Sequence, residues 1–258
     1  MAFAQTAARR PIPGAVATVG VSDRVAFLRR TYGLLGVALI AFAAITGGMM
    51  RYATSTSFHF SKWALGGQLN WLIVIMLFMG VGWVAQRLAF SPSSRGLQLA
   101  GLGVFVVAES MLLQPILWVL FLRFGNRGML SSGILMSGQA GEILMQAVVI
   151  TLAIFIGLTL TVFLTKKDFS FLRGILTIGS FAVLGVILAS MLFGFSLGAL
   201  FCGAVILLMA GYILYQTSLV MSSFPPTAFV AAALMLFSTI ATLFWYVLQL
   251  LMSLNSRR

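Results

Sequence analysis

The segment AFVAAALMLFSTIATLFWYVLQLL, residues 228–251, decides the fold class of this chain. It belongs to a longer stretch, 174–256, that contains no Asp, Glu, Lys, Arg or His. Two polar breaks, at 194–196 and 222–227, divide this stretch into three apolar segments. Each segment is close to the length of about 20 apolar residues that a membrane-spanning helix needs. The last third of the chain therefore predicts three membrane crossings.

The final segment also carries polar side chains at helical spacing. Ser238, Thr239, Thr242, Tyr246 and Gln249 are separated by intervals that place them along one side of a helix. Groups that form hydrogen bonds are costly against lipid, so this stripe is expected to face other helices or water inside the protein. We predict that the last helix is the central helix of a bundle.

The composition of the whole chain agrees with a membrane protein. It is 61% hydrophobic and 8% charged, against about 25% charged residues in typical soluble domains. The net charge of +12 comes from basic residues at the ends of apolar runs, where they set topology and bind anionic headgroups. We therefore predict an all-α, multi-pass membrane protein whose partner is the lipid bilayer and not a nucleic acid.

Apolar runs along the chain predict a transmembrane domain of seven helices over residues 24–253. A mobile N-terminal tail, 1–23, and a basic C-terminal tail, 254–258, are expected to flank it. Residues 51–67 are predicted to be a polar connection between the first two spans. The predicted spans are 32–50, 71–90, 97–122, 142–165, 172–193, 197–221 and 228–253.

The distribution of Lys and Arg predicts the orientation. With the N-terminus inside, ten basic residues lie on the inner side and six on the outer side, which favours a cytoplasmic N-terminus. In a bacterium the corresponding membrane is the plasma (inner) membrane. Arg257 and Arg258 oppose this arrangement and favour a last segment that re-enters the membrane instead of crossing it.

Only four acidic residues are present, and Glu109 is the one in the middle of a predicted span. An ionised carboxylate in hydrocarbon is costly or becomes protonated, so an intramembrane acid is a candidate functional group. A structural alternative is a protonated Glu109 that forms a hydrogen bond with a neighbouring helix. Both interpretations stay open at this point.

Two further charged residues lie at the ends of spans. Glu142 begins the fourth span, and Gln146, Ala153, Gly157 and Thr161 follow on the same side, a pattern typical of close helix packing. Arg87 lies near the inner end of the second span, where a long cationic side chain reaches towards the headgroups. Pairing of this arginine with an inward-facing acid is the alternative.

No nucleophile–base pair, glycine-rich phosphate loop or cluster of metal ligands is recognisable in the sequence. The chain is therefore not expected to be an enzyme or to carry a cofactor.

Three motifs together resemble the Bax inhibitor family of small seven-helix membrane proteins. They are FLRRTYGLL at 27–35, GLTL at 157–160 followed by TKKDFSFL at 165–172, and GYILYQT at 211–217. The resemblance implies a bundle in which six helices surround the last. It also implies calcium-leak activity, controlled in some members by two membrane aspartates, one in the sixth helix and one in the seventh. Nearby carboxylates share a proton and so act as a pH-sensitive latch.

This chain departs from the family pattern at the two aspartate positions. The first is Gln216, and the second aligns with Thr239, or with Ser238 if the register slips. None of these side chains ionises near neutral pH, so the chain resembles a divergent bacterial-type member without the latch. A hydrogen bond between Gln216 and Thr239 would instead hold the sixth and seventh spans together.

Two functions follow from the resemblance. The first is a leak channel or transporter for a cation, with calcium as the expected ion. Glu109 and Glu142 would then supply charged oxygen ligands, helped by Gln216 and Thr239. The alternative is a non-conducting regulator that contacts other membrane proteins, such as a membrane protease, through its helices.

Overall fold

The computed structural model describes residues 15–18, 20–91, 94–125, 138–165, 167–195 and 197–256. Seven of the helices in these residues are long and apolar enough to cross a membrane, which confirms the predicted class of an all-α membrane protein with seven spans. A short 3-10 turn, Val16–Thr18, precedes them. The helices are α1 Val21–Tyr52, α2 Thr54–Leu65, α3 Gln68–Ala89, α4 Arg95–Phe124, α5 Gln139–Thr165, α6 Leu172–Phe193, α7 Ala199–Ser222 and α8 Phe229–Asn255.

The prediction of a polar connection between the first two spans is wrong, because residues 54–65 form helix α2. Its buried residues are small, Ser57, Ser61 and Ala64, and they recur on one face of the helix. Phe58 and Trp63 lie on the exposed side. The distribution of apolar residues is therefore the reverse of that in a water-soluble surface helix, so the polar residues did not indicate a helix buried on its hydroxyl-bearing side.

The last helix has extensive contacts within the described residues. α8 packs against α1, α3, α4, α5 and α7, and residues such as Val230, Leu236 and Leu248 are fully buried. Helix α4 is buried over most of its length too, and packs against α1, α2, α3, α5 and α8. The sequence predicted one central helix; the interior is shared by two.

The polar stripe of α8 is less enclosed than its apolar side. Thr239 is buried, whereas Ser238, Thr242, Tyr246 and Gln249 are half-buried. Shielding from lipid is therefore complete only at Thr239 within this chain.

Close backbone approach fixes the position of α4 against α3. A Cβ atom added to Gly101 would lie 2.8 Å from the backbone oxygen of Ala85 and 3.1 Å from the backbone nitrogen of Ala89. Small residues permit such approach, and in membranes it replaces the hydrophobic driving force that packs helices in water. Helix α6, in contrast, packs only on α7 and buries only Leu176.

The predicted N-terminal tail, 1–23, lies mostly outside the described residues. Its described part packs on the bundle: Val16 is fully buried and its backbone N–H donates to the carbonyl oxygen of Phe224 at 2.9 Å. Helix α1 begins at Val21, inside that predicted tail. Arg257 and Arg258 of the predicted C-terminal tail also lie outside the described residues.

Candidate functional site

Gln216 and Thr239 meet between α7 and α8. The Thr239 hydroxyl donates to the Oε1 atom of Gln216 at 2.8 Å, and both side chains are buried. The same hydroxyl lies 3.3 Å from the backbone oxygen of Met235, one turn earlier on α8. The hydrogen bond expected from the sequence is therefore present, and it is a contact between two uncharged groups.

The alternative register, with Ser238 in place of Thr239, is not the one that contacts Gln216. Ser238 is half-buried, and its backbone oxygen accepts a hydrogen bond from the Thr242 hydroxyl at 2.9 Å. The pairing across α7 and α8 thus selects Thr239.

Glu109 is buried in α4, with 8% of its surface exposed. Its carboxyl group has no hydrogen-bond or ion-pair partner among the residues that the structure describes. One turn earlier, the ring of Phe105 lies 6.1 Å from that of Phe237 on α8. With a helical rise of about 1.5 Å per residue, Glu109 lies roughly 6 Å beyond that contact and Thr239 roughly 3 Å beyond Phe237. The buried carboxyl and the Gln216–Thr239 pair therefore lie at similar depths.

The predicted packing of the Glu142 face within the bundle is wrong. Glu142, Gln146, Ala153, Gly157 and Thr161 are all exposed, whereas the opposite side of α5 contacts α8 and α7. Glu142 and Gln146 line a shallow pocket on the outside of the helix together with Met145, Val149 and Ile150. The face with small and polar residues is turned away from the other helices of this chain. Its spacing was recognised correctly, but periodicity alone cannot distinguish an inner face from an outer one.

Arg87 points away from the bundle. Its guanidinium carbon lies 5.0 Å from the centre of the Trp83 ring, and the side chain is exposed. Stacking of a cation on an aromatic ring stabilises it without a carboxylate. The structure does not bring Arg87 to the inward-facing acid that the alternative required.

A buried polar network joins α2 to α4, and the sequence analysis missed it. The Ser57 hydroxyl donates to Gln114 Oε1 at 2.7 Å and accepts from the indole N–H of Trp118 at 2.8 Å. Gln114 also donates to the backbone oxygen of Ser110 at 3.0 Å. Ser110, Gln114 and Trp118 are spaced four residues apart on α4, and that spacing was a signal available in the sequence.

The loop after α5 is tied to α7 by Ser218. The Ser218 hydroxyl accepts from the backbone N–H of Phe169 at 3.2 Å and lies 3.4 Å from a carboxylate oxygen of Asp168. Ser218 is two residues beyond Gln216 on the same helix. The loop with the TKKDFSFL motif thus contacts the helix that carries one half of the Gln216–Thr239 pair.

These groups limit the chemistry available in the bundle. A hard divalent cation prefers six to eight oxygen ligands, several of them carboxylate. Among the described residues no group of three or more His, Cys, Asp and Glu could hold a metal ion. The interior therefore offers one carboxyl group, Glu109, together with the neutral oxygens of Gln216 and Thr239.

Comparisons with known proteins agree with the motifs. The family model described as "Inhibitor of apoptosis-promoting Bax1" matches residues 24–257. Bax inhibitor 1 of Schizosaccharomyces pombe is 28% identical over 243 residues, covering 92% of this chain and 79% of that protein.

Two further relatives are similar over nearly the whole chain. The Golgi anti-apoptotic protein of vaccinia virus (strain Lister) is 27% identical over 247 residues, covering 94% of this chain and 91% of that protein. Protein lifeguard 4 of Mus musculus is 24% identical over 245 residues, with the same two coverages. No solved structure is significantly similar to the chain.

Proposed function

The chain belongs to the Bax inhibitor family, and from this membership we propose that it is a multi-pass membrane protein that lets a cation, with calcium as the expected ion, leak through its helical bundle. Glu109 is the group proposed to handle the ion. The supporting observation is its buried carboxyl without a partner, at a depth similar to that of Gln216 and Thr239. A carboxylate in that position attracts a cation that has left bulk water.

The Gln216–Thr239 pair has a structural role in this proposal. Two neutral side chains cannot exchange a proton near neutral pH, so their hydrogen bond holds α7 to α8 at every physiological pH. Ion flux is therefore expected to respond to pH through Glu109 and not through this contact. The loop tied to Ser218 adds a second attachment at the same helix.

Calcium flux into dye-loaded proteoliposomes tests the role of Glu109. The variant Glu109→Gln keeps the size of the side chain and removes its charge, and it is expected to lower the flux and flatten its pH dependence. Glu142→Gln is the matched control, because Glu142 is exposed on the outside of α5. Equal flux from wild type and Glu109→Gln removes Glu109 from the mechanism, and an equal loss from both variants points to a general charge effect.

A second candidate function is a non-conducting regulator that contacts other membrane proteins, such as a membrane protease. It is favoured by the exposed face of α5 with Glu142, Gln146 and Gly157. Polar groups that face lipid are costly, whereas small and polar residues favour helix association. A Cβ atom added to Gly157 would meet nothing within 4 Å, so a large side chain there blocks an external contact without disturbing the bundle.

Co-purification from membranes in mild detergent tests this function. The expected result is a partner retained by the wild type and lost by Gly157→Leu. Gly36→Leu on α1 is the control, because a Cβ atom there also meets nothing within 4 Å. Robust calcium flux from a preparation without any partner contradicts the regulator function.

A further inference from the structure

The outer half of the bundle contains an apolar cavity between α1 and α5. Its volume is about 510 Å³, within the range of about 300–1,000 Å³ that small-molecule sites occupy. Both of these helices line it, and α4 and α8 form its floor, through residues such as Leu113 and Ile240. Its lining is almost entirely apolar.

The cavity has the form of a wedge. At one end α1 and α5 touch, where the rings of Tyr32 and Phe163 lie 5.6 Å apart. Towards the other end the helices separate, and the cavity runs along α1 from Leu39 to Met50. At about 1.5 Å per residue this length is roughly 16 Å, close to half of a hydrocarbon core about 30 Å thick. The cavity thus lies within one leaflet.

The mouth of the cavity faces the surrounding lipid. Ile40 is 72% exposed, and Val148 and Leu152 on the opposite side of the opening are also exposed. An approximate width follows from the volume and the length: a cavity of about 510 Å³ that is roughly 16 Å long has a cross-section near 30 Å². This is too narrow for another helix, which measures about 10–12 Å across with its side chains.

Two buried hydroxyl groups without a partner border this space. The Oγ1 atoms of Thr46 and Thr151 have no hydrogen-bond partner, although the two residues are only 7% and 2% exposed. An unsatisfied polar group in a membrane interior is costly. A threonine hydroxyl can donate, and a carbonyl oxygen has two lone pairs with which to accept. The empty hydrogen-bonding positions therefore fit a ligand that carries an acceptor.

From this geometry we propose that the wedge between α1 and α5 binds one acyl chain of a bilayer phospholipid, with its ester carbonyl near Thr46 and Thr151. Tyr52 is 84% exposed at the end of α1, as expected of an aromatic residue at the membrane interface. Thr46 is six residues earlier, roughly 9 Å deeper along the axis. This depth is just below the headgroups, where an ester carbonyl can reach the hydroxyl while the acyl chain extends down the wedge.

Two neighbouring glycines provide a matched pair of variants. Gly47 lines the cavity and Gly48 does not, and a Cβ atom on either would meet nothing within 4 Å. Gly47→Leu and Gly48→Leu therefore have the same effect on helix propensity, but only the former fills the wedge. For the hydroxyls, Thr46→Val and Thr151→Val are compared with Thr161→Val, since the Thr161 hydroxyl bonds to its own helix at the carbonyl of Gly157.

The experiment is photo-crosslinking in proteoliposomes that contain phosphatidylcholine with a diazirine on one acyl chain. Labelled peptides from the wild type are expected to come mainly from 39–50 of α1 and 144–152 of α5. Gly47→Leu should reduce this labelling at least fivefold and Gly48→Leu should leave it unchanged. Each valine variant at the cavity should reduce it about two- to tenfold, the range expected for one lost hydrogen bond.

Labelling that is equal in Gly47→Leu and wild type overturns the proposal. The same holds for labelling of the wedge that is no stronger than labelling of α6, which is exposed to lipid but does not line the cavity. A third contrary result is a wedge protected from the probe in the wild type by a second protein. Elution of each variant as the wild-type species confirms that the bundle has folded.

Discussion

Replacing Ser57 by alanine is expected to destabilise the protein through the network that attaches α2 to α4. The Ser57 hydroxyl is fully buried and takes part in two hydrogen bonds, with Gln114 Oε1 at 2.7 Å and with the Trp118 indole at 2.8 Å. Alanine removes the donor for one group and the acceptor for the other. Both remaining groups then stay buried without a partner in this region.

The magnitude follows from these two bonds. Hydrogen bonds between membrane helices are worth about 0.6 kcal/mol on average and up to about 1.7 kcal/mol. Loss of two such bonds predicts a decrease of about 1–3 kcal/mol in the free energy of unfolding. Ser55→Ala is the matched control, since Ser55 is an exposed serine on the same helix and loses no side-chain hydrogen bond. Any gain in helix propensity is the same in both variants.

Reversible unfolding in mixed micelles, followed by far-ultraviolet circular dichroism, measures the difference. A double-mutant cycle with Gln114→Leu adds a stricter test, because both substitutions remove the same hydrogen bond. The combined cost should be smaller than the sum of the single costs by more than the 0.3–0.5 kcal/mol expected for independent sites. Equal stabilities of Ser57→Ala and Ser55→Ala, or strict additivity with Gln114→Leu, would refute the reasoning.

Three further predictions concern the contacts between spanning helices. A cycle of Gln216→Leu and Thr239→Val, measured by the same unfolding assay, should give a coupling of about 0.6–1.7 kcal/mol, and zero coupling would show that their hydrogen bond contributes nothing. Gly101→Ala should cost about 1–3 kcal/mol by overpacking, because its Cβ atom would lie 2.8 Å from the backbone oxygen of Ala85; Gly103→Ala, with open space around it, should be neutral or stabilising. The double variant Gln216→Asp with Thr239→Asp places two carboxyl groups together, which raises the folded-state pKa of one of them. Its stability should therefore fall as the pH rises through that pKa, whereas the wild type shows no such loss; a pH-independent double variant would contradict the proximity of the two positions.

The class of the fold could be predicted from the sequence because each spanning helix depends on a local property. A run such as 172–193 needs only length and the absence of charge to require a helix in a bilayer, since backbone groups must be satisfied within the segment. The structure places α6 at Leu172–Phe193, the range predicted. Helix α2 could not be found in this way, because its buried side is Ser57, Ser61 and Ala64 and its apolar residues lie on the exposed side.

The candidate site was predictable in part. Pairing of Gln216 with Thr239 followed from the alignment of two motifs, and their hydrogen bond is present. The direction of Glu142 was not predictable, because helical spacing gives the members of a face but not its partner. Its neighbours on that face, Ala153 and Gly157, are as compatible with an external helix as with an internal one.

The distribution of polar groups gives the bundle two functionally different sides. Towards α7, the buried contact of α8 is the neutral pair Gln216–Thr239, which is saturated and closed. Towards α1 and α5, the hydroxyls of Thr46 and Thr151 lack partners and border a cavity open to lipid. Because a saturated contact resists opening and an unsaturated one favours a ligand, a change in the bundle is expected to begin at the wedge between α1 and α5. Lipid bound there would favour the separated arrangement of α1 and α5, and lipid composition would then influence ion flux even where pH acts only through Glu109.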